Sequence, residues 1–96
     1  MPTVKHLVIT GRVQGVGFRM YMERTARELG INGWVRNRRD GSVEAVFAGE
    51  DAVVHDMIAA CRRGPYSARV DALDQREGSE NDLKPRRSGE LFSVLF

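Results

Sequence analysis

Cysteine is nearly absent from this chain. Cys61 stands alone among 96 residues, which excludes an internal disulfide and a thiolate metal cluster. A single thiol makes a reducing, cytoplasmic setting the expectation. Histidine is almost as scarce. His6 and His55 lie far apart, without the neighbouring Cys or Glu pattern of a zinc site, so neither a metal nor any other cofactor is expected. No apolar run approaches the roughly 20 residues that span a bilayer. The opening Met1-Pro2-Thr3-Val4-Lys5 lacks a signal-peptide pattern, so no membrane partner is expected. Lysine is rare as well: 13 of the 15 basic residues are arginine, yet the formal net charge is only +2. That balance gives no argument for nucleic acid and leaves anionic small molecules open.

What remains is the composition of an ordinary globular domain, 42% hydrophobic and 29% charged, in a length that suits one domain over residues 1–96. Residues 3–11 are β-branched and mostly apolar, and read as a strand. From Phe18 the period becomes helical. Phe18, Met22, Thr25, Ala26 and Leu29 share one face, and Gly30 stops the helix. Residues 31–39 return to strand character, Asp40-Gly41 is a hairpin signal, and residues 42–49 form the returning strand. Glu50-Asp51 opens a second helix with Val54, Met57, Ile58 and Cys61 on its apolar face, closed by Arg62-Arg63 and Gly64-Pro65. Residues 68–77 read as a fourth strand, residues 78–90 as a polar, mobile loop, and residues 91–96 as a short closing strand.

The order strand, helix, strand, strand, helix, strand predicts a ferredoxin-like α+β fold. In this split βαβ sandwich, two helices lie on one face of an antiparallel sheet of four to five strands. Many activities use that fold, so function must be argued from a site.

The candidate site is Gly11-Arg12-Val13-Gln14-Gly15-Val16-Gly17-Phe18-Arg19, which carries three of the ten glycines in nine residues. If residues 14–19 (Gln14, Gly15, Val16, Gly17, Phe18 and Arg19) curl around one point, their N–H groups form a nest for an oxyanion. The helix start adds its positive end, and Arg19 a bidentate fork. The same glycines also suit a plain strand-to-helix turn, and pattern alone does not separate the two. The loop lacks the Gly-Lys-Ser/Thr ending of a Walker motif and the third glycine of a dinucleotide fingerprint. Asn37, flanked by arginines before the Asp40-Gly41 turn, can orient a water or a substrate oxygen. On position alone, a local polar role beside the turn is the stronger reading. Arg36 and Arg38 alternate with Asn37 and are expected on the opposite sheet face. Phe18, Trp34 and Phe47 are expected to cover the core or the sheet, with the side taken by Trp34 left open.

Those nine residues closely resemble the first signature of the acylphosphatases. Gly33-Trp34-Val35-Arg36-Asn37-Arg38-Arg39-Asp40-Gly41-Ser42-Val43-Glu44 resembles their second. The resemblance covers nearly all of residues 5–74, including Leu29-Gly30 and Gly64-Pro65, and fades after Asp74. It implies that Arg19 binds phosphate and that Asn37 positions an attacking water. The implied reaction is hydrolysis of a carboxyl–phosphate anhydride to a carboxylate and inorganic phosphate, with a small acyl phosphate as substrate; a monomer is the default expectation.

Few groups would suffice for that reaction. The leaving carboxylate has a conjugate acid with a pKa of about 4 and departs without a proton. Gathering phosphoryl charge and aiming a water remain. The competing readings are a non-catalytic module that binds an acyl or carbamoyl phosphate, and an RNA-binding module of the same fold, which would stack bases on exposed sheet aromatics.

Overall fold

The computed structural model describes residues 2–95. Five strands and two helices follow in chain order: β1 (Pro2–Arg12), α1 (Phe18–Leu29), β2 (Asn32–Asn37), β3 (Val43–Glu50), α2 (Asp51–Arg63), β4 (Arg69–Glu77) and β5 (Phe92–Val94). The sheet order is β4-β1-β3-β2-β5. Both helices pack on one face, which makes the ferredoxin-like α+β fold.

Period-2 and period-4 burial build the core. Along β1, Leu7 and Ile9 are fully buried; along β3, Val43, Ala45 and Phe47 are; from β2 comes Val35. Across from them stand Phe18, Met22 and Ala26 of α1, and Val54, Met57, Ile58 and Cys61 of α2. The helical spacings read from the sequence therefore give the faces actually buried. Gly30, in the left-handed region at φ 71°, ends α1, and the Ile31 N–H turns back to the Ala26 carbonyl at 2.8 Å, a Schellman-type closure.

The sheet departs from expectation at one edge. β1, β3, β2 and β4 pair antiparallel as expected, but β5 runs parallel to β2, with Gly33 opposite Phe92 and Val35 opposite Val94. The sheet is thus mixed. The reason is topological: β4 runs against β2, so a chain that leaves β4 and reverses once arrives at the far edge along β2. Gly33 is obligatory here. Its φ is 149°, and a Cβ on it would lie 1.9 Å from the Val46 carbonyl oxygen.

The connection between β4 and β5 crosses the sheet face opposite the helices. It contains a 3-10 turn at Glu80–Leu83, closed by a capping box between Ser79 and Asp82. Trp34 points to this face. It is only 3% exposed, and its indole N–H donates to the Asp82 carbonyl at 2.6 Å. Arg36 also lies on this face, with its guanidinium 5.2 Å from the Trp34 ring centroid and its Nε donating to Glu44 at 2.7 Å. His6 approaches the other Glu44 oxygen at 2.7 Å.

Candidate active site

The chain leaves β1 through residues 13–17 and enters α1 at Phe18. Gly15 (φ 72°) and Gly17 (φ 76°) both take the left-handed conformation, which folds the segment back on itself. Gly17 is also the N-cap of α1, and no side chain caps that helix end. Among the described residues, no backbone carbonyl of the turns and loops accepts from the N–H groups of Gly15, Val16, Gly17 or Phe18. Orphan donors at a helix start, with the dipole behind them, favour an anion.

Arg19 sits on the first turn of α1, half-buried. Its Nη1 donates to the Leu95 carbonyl at 3.1 Å, while the Leu95 N–H donates to Val35 at 2.8 Å. The closing strand therefore holds the guanidinium toward the end of β2, where Asn37 lies. Asn37 closes β2 opposite Val43 and shares a sheet face with Val35, the face covered by the helices. Its Oδ1 is buried and has no hydrogen-bond partner among the described residues. An unpaired buried amide oxygen costs about 1–3 kcal/mol.

These groups converge on one cleft of about 150 Å³, lined by Val13, Gly15, Gly17, Phe18, Arg19, Met20 and Asn37. It is well below the ~300 Å³ of ordinary ligand pockets and suits a small ion. The lining offers an arginine fork, backbone N–H groups and one amide. It has no thiol, hydroxyl, imidazole or carboxylate side chain. This donor set fits an anion and does not fit a divalent cation, which takes carboxylate or imidazole ligands. A larger cleft of about 690 Å³ lies between α2 and β1/β4, beside Lys5, Asp51, His55 and Gln75, and contains no residue of the loop or Asn37.

Of the candidate residues, Gly15, Gly17, Phe18, Arg19 and Asn37 line the cleft together. Gln14 and Val16 stand behind it. The Val16 carbonyl accepts from the Ser67 hydroxyl at 3.0 Å. The Gln14 Nε2 donates to the carbonyls of Arg38 (2.7 Å) and Ser42 (2.8 Å). Sequence reasoning missed Ser67 and the Leu95 carbonyl, which carry no local signal, and Met20 and Val13, which complete the cleft wall. None of the titratable groups with a shifted pKa lines the cleft. Burial pushes the Cys61 thiol up to about 12, so it is an inert core residue. Hydrogen bonds from the Ser42 side chain and backbone hold Asp40 below the ordinary carboxylate range, where it braces the hairpin.

An α+β sandwich with unpaired N–H groups at a helix start, and an arginine and a buried amide oxygen in the same cleft, has the makings of a small anion-binding protein. The acylphosphatase family profile matches residues 5–88. An acylphosphatase of Rhodopseudomonas palustris (strain BisB18) is 56% identical over 96% of this chain and 93% of its own. One from Nitrobacter hamburgensis is 58% identical over the same shares. The crystal structure of the Bacillus subtilis acylphosphatase superimposes with a TM-score of 0.85 at 29% identity, covering all of both chains. The chain belongs to the acylphosphatase family, hydrolases acting on acid anhydrides.

Proposed function

We propose that this protein hydrolyses the carboxyl–phosphate bond of small acyl phosphates, releasing a carboxylate and inorganic phosphate. Arg19 and the N–H groups of residues 14–19 bind the phosphoryl oxygens, and Asn37 orients the attacking water. The observation that carries this reading is the buried Asn37 Oδ1, without a hydrogen-bond partner among the described residues, in a cleft that Arg19 also lines. An amide oxygen accepts a hydrogen bond from water and fixes the direction of its lone pair, but it is too weak a base to deprotonate it. With a carboxylate as leaving group, no general acid is needed. The catalytic task becomes positioning and charge stabilisation.

The reading requires no metal, in keeping with the anion-binding character of the lining. It carries with it a monomer working in the cytoplasm on a small-molecule substrate, without nucleic acid or membrane. The RNA-binding alternative needs aromatics open on the sheet face away from the helices, whereas Trp34 there is buried beneath Asp82. No helix among the described residues is long and apolar enough to cross a membrane. The test is phosphate release from acetyl phosphate by purified protein in excess chelator. Turnover unchanged by the chelator is expected; strong inhibition contradicts the metal-free reading, and no turnover contradicts the activity.

A further inference from the structure

The cup and Asn37 lie on different elements, and catalysis as proposed depends on the distance between them. Glycine makes the loop intrinsically free: a Cβ added at Gly15 or Gly17 would meet nothing within 4 Å, so packing at these positions does little to hold them. Ser67 ties the loop to the α2–β4 connection through the Val16 carbonyl, but that connection does not carry Asn37. Gln14 does reach the strand pair that carries it. Its Nε2 donates to Arg38 and Ser42. Arg38 follows Asn37 in the chain, and Ser42 precedes Val43, the residue paired with Asn37 across the ladder. The Ser42 carbonyl also accepts the Arg38 N–H at 2.8 Å, so this end of the hairpin is one joined unit. Both partners of Gln14 are carbonyl oxygens. The amide nitrogen must therefore face them, with both of its hydrogens used.

We infer that Gln14 is a positioning residue. Its side chain sets the register between the phosphate cup, which begins with its own backbone N–H, and the strand end that carries Asn37. This rests on the assignment of Asn37 to the attacking water. The phosphoryl group can bind without the Gln14 bridge, since Arg19 and the loop N–H groups are untouched by its loss. The water, however, is then aimed from a strand end that has lost one of its ties to the cup, with the link through Arg19, Leu95 and Val35 remaining. A misplacement on the order of 1 Å costs roughly 10²-fold in rate.

Two variants test this. Gln14→Met keeps length and bulk while removing both donors. Gln14→Glu keeps the shape but sets a carboxylate oxygen against two carbonyl oxygens. For each, kcat on acetyl phosphate is measured beside the inhibition constant of inorganic phosphate, with circular dichroism as the check on folding. The expected result is a kcat roughly 10- to 100-fold lower in Gln14→Met and lower still in Gln14→Glu. The phosphate inhibition constant stays within about threefold of wild type, as for a group that acts only in the transition state. Three results overturn the inference: a Gln14→Met kcat within about twofold of wild type, phosphate binding lost in step with kcat, or failure of both variants to fold. The Asn37→Ala variant separates the two claims. Full turnover there refutes the role of Asn37 whatever Gln14 does, whereas an inactive Asn37→Ala beside a fully active Gln14→Met refutes only the bridge.

Discussion

Replacing Arg19 by lysine keeps the charge and removes the fork. The guanidinium has five donors in a fixed plane; its Nη1 donates to the Leu95 carbonyl at 3.1 Å, and the side chain lines the cleft beside Asn37. A lysine ammonium at this position is a point charge with rotating donors, so it cannot hold Leu95 and two phosphoryl oxygens in one plane. Loss of one preorganised donor to a developing oxyanion costs about 3–4 kcal/mol, or 10²–10³ in kcat. We expect a loss of this size in Arg19→Lys, and a larger one in Arg19→Ala, where the charge goes too. The assay is phosphate release from acetyl phosphate, with kcat and KM resolved and with added phosphate as competitor. Weaker phosphate inhibition should accompany the loss, because this arginine acts on the bound group as well as on the transition state. Arg19→Lys with more than about half of the wild-type kcat/KM would refute the argument that geometry, and not charge alone, is what Arg19 supplies.

Two further predictions concern the scaffold. Gly33→Ala drives a methyl into the Val46 carbonyl at 1.9 Å. A loss of about 3 kcal/mol or more is expected, seen as a Tm lower by more than about 10 °C; a Tm within a few degrees of wild type contradicts the approach of β2 to β3 described here. Burial pushes the Glu44 carboxyl up, but hydrogen bonds from His6 and Arg36 outweigh it and hold the folded pKa below the ordinary 4.5. A lowered folded pKa contributes stability above the unfolded value that is lost as pH falls through the folded one. Wild-type Tm should therefore fall more steeply below about pH 4.5 than that of Glu44→Gln, and parallel Tm profiles would remove Glu44 from the acid response.

The helices were legible because their signals are local. Gly17 and Gly30 bracket α1 at the boundaries expected, and the Val54, Met57, Ile58, Cys61 stripe names the buried face of α2. The β2–β3 pairing was legible from Asp40-Gly41, although the strands stop short of the turn. Arg38 bonds Ser42, and Asp40 accepts from the Ser42 N–H at 2.9 Å, so five residues make the connection. The direction of β5 was not legible, since three residues carry no pattern and their partner strand is set by where the chain lands. Trp34 takes the face of Arg36 by strand alternation; what was not legible is its cover, the Asp82 carbonyl in a segment whose polar composition hid its 3-10 turn. At the site, residue types and spacing left an anion cup and a plain turn equally open, and it was the family resemblance that pointed to Arg19 and Asn37. The contacts that fix their mutual distance, from Gln14 to two carbonyls and from Arg19 to Leu95, end on backbone atoms that any residue could supply. Composition cannot encode them.

The most direct test of the account is the turnover of Asn37→Ala on acetyl phosphate, measured with the inhibition constant for inorganic phosphate. Asn37 is placed on the water and not on the phosphoryl group. The account therefore predicts a kcat lower by about 10²–10³ with phosphate binding essentially retained. Turnover near wild type, or loss of phosphate binding equal to the loss of turnover, would contradict it.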